Sequence, residues 1–248
     1  YVDTKDLQGL NSLWYEVNPR NGEYEWQSEK YHFNNTNLFS FFIQTDKINP
    51  VLDVSFDGIR ILNGDIVSAH PEIVITLKDE NPFLKLDDPS LMQVFIKYPP
   101  NFGDSTVLIP ESEYSFIPAS ELKNEAKIVF KHKFYRDGKY ELGIMAKDKS
   151  RNISGKGHAI YDLKIQFEIV TKTSITQLIN YPNPFSTSTR FVFILTGEQI
   201  PDEIRIQIMS VTGKVVREIN QDELGPINIG RNITEFAWDG KDQFGDQL

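Results

Sequence analysis

The 248-residue sequence contains no cysteine. That absence excludes a disulfide scaffold, thiolate zinc sites and a cysteine nucleophile within this chain. Positive charge is also scarce: 26 Lys and Arg stand against 35 Asp and Glu, a formal charge of −9. Nucleic-acid binding rests on neutralising phosphates, so no nucleic-acid partner is expected, and an anionic bilayer fits no better. No apolar run approaches the roughly 18 residues that a spanning helix needs, so direct membrane insertion is not expected. The chain opens on Tyr1 with no basic-then-apolar leader, which reads as a piece of a longer polypeptide. Against these absences, 40% of residues are hydrophobic and 25% charged, a balance that supports packed cores and argues against disorder.

The dominant hydrophobic period is two, the signature of strands whose successive side chains point to opposite sheet faces. Tyr161, Leu163, Ile165, Phe167 and Ile169 alternate with Asp162, Lys164, Gln166 and Glu168. The same rhythm runs through Leu52, Val54 and Phe56; Ile73, Ile75 and Leu77; Met92, Val94 and Ile96; and Tyr140, Leu142, Ile144 and Ala146. Turn formers such as Asp57-Gly58, Asn63-Gly64-Asp65 and Asp137-Gly138 separate the runs. A second series comprises Phe191, Phe193 and Leu195; Ile204, Ile206 and Ile208; Val215, Arg217 and Ile219; and Ile233 to Trp238, with a tight hairpin at Thr212-Gly213. Helical spacing is nearly absent, and its best instance is a short turn near Ala119 to Lys123. The fold class expected is all-β: tandem immunoglobulin-like antiparallel β-sandwiches.

Breaks in this rhythm divide the chain. Residues 1–46 hold ten of the 30 aromatic residues and read as the end of a preceding β-rich module. Residues 47–170 have the length of one immunoglobulin-like sandwich, and 171–177 form a polar linker. Residues 178–248 make a C-terminal module that stops before its last strand. Tyr181, Pro182, Asn183, Pro184 and Phe185 open it; their prolines fix φ and donate no ladder hydrogen bond, so a stiff elbow between modules is expected.

Motifs for chemistry are sparse. Neither a Walker-type nor a dinucleotide glycine loop occurs, and Ser154-Gly155-Lys156-Gly157 reads as a surface turn. No nucleophile elbow occurs. His32, His70, His132 and His158 have no HExxH or i,i+4 partner, and His132 continues the alternation of Ile128 and Phe130 as a structural residue. A glycosidase carboxylate pair needs a deep cleft, which small sandwiches on short linkers seldom build. Calcium candidates are Asp79 and Glu80 with Asp87 and Asp88, and separately Asp148 with Asn152, which with Ser150 have the one-three-five spacing of a calcium loop. Ile153 and Ala159 replace that loop's glycine and its bidentate glutamate, and Asx-turns account for both clusters, so no cofactor is expected. The N-terminal aromatics could stack glycans, but Tyr31, Phe33, Phe39 and Phe41 have the odd-number spacing of strand residues facing a core. Asn34, Asn152 and Asn232 each begin an N-x-[ST] sequon.

At Asn180 to Phe185, "NYPNPF", at Ile206 to Arg217, "IQIMSVTGKVVR", and at Phe236 to Leu248, "FAWDGKDQFGDQL", the sequence resembles the flagellar-hook-cap type of immunoglobulin-like domain. Such domains occur in the C-terminal modules of Bacteroidota surface proteins and type IX secretion cargo. The middle region, with "INPVLDVSFDGIRILNGDIVSAHPEIVITLKDEN" and "DGKYELGIMAKDKSRNISG", is similar to the module preceding that end in gingipain-like cysteine peptidases, some of them sortase-like components of type IX secretion. The resemblance covers roughly residues 47 to 248. It implies a non-catalytic spacer, anchoring or secretion-addressing region at the cell surface or secreted, whose partners are outer-membrane or secretion-machinery proteins. An accessory region docking such a peptidase and a glycan-binding module are the alternatives. It assigns structural roles to Tyr181 through Phe185 and to Trp238, Asp239 and Gly240, the last three leading into a turn. It also implies an O-glycosylation triplet at Asp104-Ser105-Thr106, with Ser105 as the acceptor.

Overall fold

A computed structural model of the chain describes residues 7–19, 27–31, 33–100, 105–155 and 160–246. It is nearly all β, built from several antiparallel sheets, and divides into two compact units, Tyr1–Ile48 and Asn49–Leu248.

The first unit contains a two-stranded antiparallel sheet of β1 (Gly9–Glu16) and β2 (Thr36–Ile43). Leu10 lies opposite Phe42 and Trp14 opposite Leu38 on one face, while Leu13 lies opposite Phe39 on the other. Both faces are therefore apolar. The rings of Phe39 and Phe41 stack at 6.3 Å, yet Phe33, Phe39 and Tyr31 are exposed and Phe41 is only half-buried. No described residue of this unit is buried, which corrects the expectation that its aromatics face a core. Two strands form a single layer, and period-two spacing buries a face only when a second layer covers it.

The second unit begins with β3 (Val51–Phe56), β4 (Asp65–Val67), β5 (Glu72–Lys78), β6 (Met92–Lys97), β7 (Thr106–Leu108), β8 (Ser115–Ile117), β9 (Glu125–Lys131), β10 (Gly138–Ala146) and β11 (Leu163–Ile169). They form two sheets, ordered β3-β5-β9-β8 and β4-β11-β10-β6-β7. Every pairing is antiparallel except β4 with β11, which is parallel. Inward residues from both sheets, among them Ile73, Ile75, Leu77, Ile128, Leu142, Ile144 and Ile169, share one hydrophobic core. The period-two face expected of each run is the buried one: β5 alternates half-buried Glu72, Val74 and Thr76 with fully buried Ile73, Ile75 and Leu77. Phe56, Phe134, Tyr140 and Phe167 extend this core as ring pairs 4.7–5.7 Å apart. Three of the four sheet edges, β4, β7 and β8, are three-residue strands.

The chain then forms β12 (Ser174–Tyr181), β13 (Arg190–Thr196), β14 (Ile206–Met209), β15 (Val215–Ile219), α1 (Gln221–Leu224) and β16 (Gly230–Ile233). One sheet is ordered β12-β13-β16, the other is the β14-β15 hairpin, and Phe193, Leu195, Ile204, Ile206, Ile219 and Leu224 fill a second, smaller core. The hairpin turns at Ser210 to Lys214, where the Gly213 N–H donates to the Ser210 carbonyl at 2.9 Å. Its third run differs from the sequence pattern: Val216, not Val215, is buried, because the register shifts between Ile208 and Met209. Residues 119–123 are a bend, not a helical turn. The Ala119 N–H is drawn to the Leu86 carbonyl at 2.9 Å, and Ser120 bonds Lys123 at 3.0 Å. Among the described residues the α-helix is α1, where the Asn220 N–H donates to the Glu223 carboxylate at 3.2 Å.

Candidate functional site

The two motifs that stand out in the C-terminal sequence meet in space. Tyr181 ends β12, and the Tyr181–Pro182 and Asn183–Pro184 bonds are both cis. The segment lies in the connection from β12 to β13, inside the C-terminal sheet. The expected elbow between modules is therefore corrected: β12 has already paired with β13 before the prolines are reached. Thr189, 1% exposed, organises the connection. Its hydroxyl donates to the Pro182 carbonyl at 2.8 Å and accepts from the Asn180 amide at 3.4 Å.

Thr189 is also the joint to the second motif. Its N–H donates to the Trp238 carbonyl and the Trp238 N–H donates back to the Thr189 carbonyl, both at 2.8 Å. The Phe185 and Trp238 rings then meet at 5.8 Å, tilted by 50°. Trp238 closes its own turn, its indole N–H donating to the Lys241 carbonyl at 2.7 Å, while the Asp239 carboxylate accepts from the Lys241 N–H at 3.1 Å. Gly240 holds φ +85° at the corner, a conformation that disfavours a side chain. Beyond it, the Asp242 carboxylate accepts from the N–H groups of Phe244 and Asp246, both at 2.9 Å, and the Gln243 N–H donates to the Val216 carbonyl at 3.0 Å. The arrangement is a latch of aromatic contact and paired backbone bonds.

Of the calcium candidates, Asp79 and Asp148 bring carboxylate oxygens within 4.8 Å of one another, whereas Glu80, Asp87, Asp88 and Asn152 are not part of that group. Both oxygens of Asp148, 1% exposed, accept from Asn152: Oδ1 from the backbone N–H at 2.8 Å and Oδ2 from the side-chain amide at 2.7 Å. Asp79 Oδ1 accepts from the Asn81 N–H at 3.2 Å, and Glu80 is exposed. Asp87 pairs with Lys149 Nζ at 2.6 Å. Asp88 caps a short 3-10 turn, Pro89–Leu91, and the hydrogen bonds from the Ser90 N–H and hydroxyl hold its carboxyl below the usual range. Of the sequons, Asn34 is exposed, the Asn152 amide is occupied by Asp148, and Asn232 is buried. Asn232 Nδ2 donates to the carbonyls of Asn228 at 2.8 Å and Gly230 at 3.0 Å, so no free amide is presented for modification. Ser105 is exposed, and its neighbour Asp104 lies outside the described residues, as do His32, His158, Lys156 and Gly157.

Two hydrogen-bonded contacts were not singled out from sequence, although His132 itself was read as a structural residue. Tyr140 is buried, and its hydroxyl donates to the Arg136 carbonyl at 2.8 Å, four residues upstream across the entry to β10. The Tyr98 hydroxyl lies 3.2 Å from His132 Nε2, and the His132 ring meets Phe134 edge-on at 4.6 Å. Burial pushes the His132 imidazole below its ordinary range, with Glu113 opposing in part. Signals existed for both: a tyrosine opening a strand just after a turn, and a histidine inside an aromatic run.

No family model matches the chain, and no curated protein matches it. Among solved structures, it is similar to the crystal structure of dimeric latent PorU from Porphyromonas gingivalis, at TM-score 0.35 and 14% identity. The match covers 88% of this chain and 20% of that one, so the chain spans about a fifth of PorU's length.

Proposed function

We propose that this chain is a non-catalytic C-terminal region of a large bacterial cell-surface protein, its immunoglobulin-like modules spacing, anchoring or addressing the polypeptide for type IX secretion. The observation that carries the reading is the latch. The two motifs behind the family resemblance, at Tyr181 to Phe185 and Trp238 to Gly240, are joined through Thr189 and the Phe185–Trp238 ring pair, and both serve architecture. The immunoglobulin-like assignment of the larger sandwich has separate support. A buried tyrosine at the start of a strand, bonded to a carbonyl a few residues upstream, is the tyrosine corner of such folds. Tyr140 has that geometry, and Leu142, fully buried two residues on, stands where antibody domains carry a disulfide cysteine. On this reading the partners are outer-membrane or secretion-machinery proteins, and no cofactor is required. The decisive experiment deletes residues 178–248, with whatever follows them, from the full-length parent in its own host. Loss of export and surface display is expected, and unchanged display overturns the addressing role.

One observation favours a second reading, an accessory glycan-binding role. Trp14 and Phe39, 59% and 61% exposed, present aromatic area on opposite faces of the β1–β2 sheet. A glycan array on the whole chain decides it: binding lost in Trp14→Ala or Phe39→Ala supports the role, and no binding rejects it.

A further inference from the structure

We propose that the larger sandwich and the C-terminal module are locked into one rigid body, and that Gly230 is the residue that allows the lock to close. This stands apart from the secretion reading and holds or fails whatever the parent protein does.

The lock begins with the segment between the two cores. Only residues 170–173 separate the end of β11 from the start of β12, and they are tied from both sides. On the sandwich side, the Thr171 N–H and hydroxyl both donate to Asp137 Oδ1, at 2.8 and 2.7 Å. On the other side, the Gly197 N–H donates to the Val170 carbonyl at 3.0 Å, and the Thr196 hydroxyl donates to the Lys172 carbonyl at 2.7 Å. A linker whose donors and acceptors are engaged by both neighbours does not behave as a flexible coil.

A second contact prevents rotation about that tether. β4 is the edge of the five-stranded sheet and β16 the edge of the C-terminal sheet, and these two edges lie side by side. At their meeting point Gly230 is buried with φ +101°, and a Cβ built on it would fall 2.4 Å from the Ile66 carbonyl oxygen. That oxygen belongs to backbone held in the β4–β11 pairing, so it cannot swing aside as the tip of a long side chain would. Glycine is required there twice over, by its φ and by the closeness of the neighbouring chain. Asn232 brings it into position: Oδ1 accepts from the Asn228 N–H at 2.8 Å, and the amide donates back to the carbonyls of Asn228 and Gly230. That explains why a buried asparagine sits on an edge strand of a small sheet. Beside the contact, a cleft of about 660 Å³ is walled from the sandwich by Ile59, Leu62 and Ile66 and from the C-terminal module by Ile200, Ile229 and Arg231. Its shape is fixed only while the two edges stay together.

Because the chain has no native cysteine, a pair of spin labels reports on this junction without background. Labels at Glu121→Cys and Asp222→Cys, both exposed, place one probe on each module of the whole chain. Electron double-resonance should give a single narrow distance distribution for this pair. In Gly230→Ala the distribution should shift and broaden. Gly213→Ala is the control: its φ of +85° also disfavours a side chain, but its Cβ meets nothing within 4 Å, so the distribution should stay narrow. A broad distribution in the labelled chain without either glycine substitution overturns the rigid body. A Gly230→Ala distribution as narrow and as centred as that of Gly213→Ala overturns the role of Gly230. Should Gly230→Ala unfold the C-terminal module, nitrogen-15 relaxation of the unsubstituted chain decides the rigid body: one correlation time for both modules supports it, two overturn it.

Discussion

The β1–β2 sheet and the sandwich that follows it use the same local code and reach opposite outcomes. Both are built from strands rich in large apolar residues, TNLFSFFI in β2 and EIVITLK in β5. In the sandwich a facing sheet covers the apolar side, and Ile73, Ile75 and Leu77 are fully buried. In β1–β2 the aromatics stay exposed, with apolar side chains on both faces. Apolar side chains therefore encode a strand, whereas burial is a property of the layer beside it.

The most severe way to break the sandwich side of this contrast is Phe167→Ala, which removes the ring shared by Phe56, Phe134 and Tyr140. A loss of about 3–5 kcal/mol is expected in urea unfolding of the sandwich. Thr189→Val should cost roughly 1–2 kcal/mol in the C-terminal module, because the Pro182 carbonyl and the Asn180 amide lose their partner on the buried Thr189 side chain. Tyr140→Phe keeps the ring and deletes only the bond to Arg136, so about 1 kcal/mol is expected from the same measurement.

A smaller effect separates the regions by pH. Burial depresses the His132 imidazole, so between its folded value and the ordinary ~6.5 the unfolded chain binds a proton that the folded chain rejects. Stability is then full above that ordinary value and falls as pH drops through it. His132→Gln should flatten the slope, read as unfolding midpoints across about pH 5 to 8. The smallest effect belongs to Phe39→Ala in β2: with its ring exposed, a change within about 0.5 kcal/mol is expected. A cost near that of Phe167→Ala would mean that β2 is covered in solution and would erase the contrast.

Legibility follows the range of the physics involved. The inward faces of β3, β5, β6, β10 and β11 could be read directly, since period two is local and the sandwich layers honour it. The helix α1 escaped because one turn is too short to show a period, although Asn220 and Glu223 have the spacing of a capping pair. The proline motif, read as a stiff elbow between modules, falls inside the C-terminal sheet, because only the β12–β13 pairing reveals on which side of the junction it lies. Exposure of Phe39 and Trp14 could not be read at all, since an aromatic stripe looks the same with or without a partner layer. The requirement at Gly230 was equally hidden, because the atom that imposes it belongs to Ile66, remote in the chain.

The sandwich ends its sheets in β4, β7 and β8, each only three residues long. An open strand edge templates pairing with any neighbouring chain, and the gain from such pairing grows with the number of ladder bonds on offer. Three-residue edges offer few. The longer edge, β3, is partly closed where Phe56 and Ile59 exchange backbone bonds at 2.8 and 2.9 Å, and Asp53 on that strand is paired with Arg60. A sandwich built this way can stand crowded among copies of itself without its sheets growing into one another.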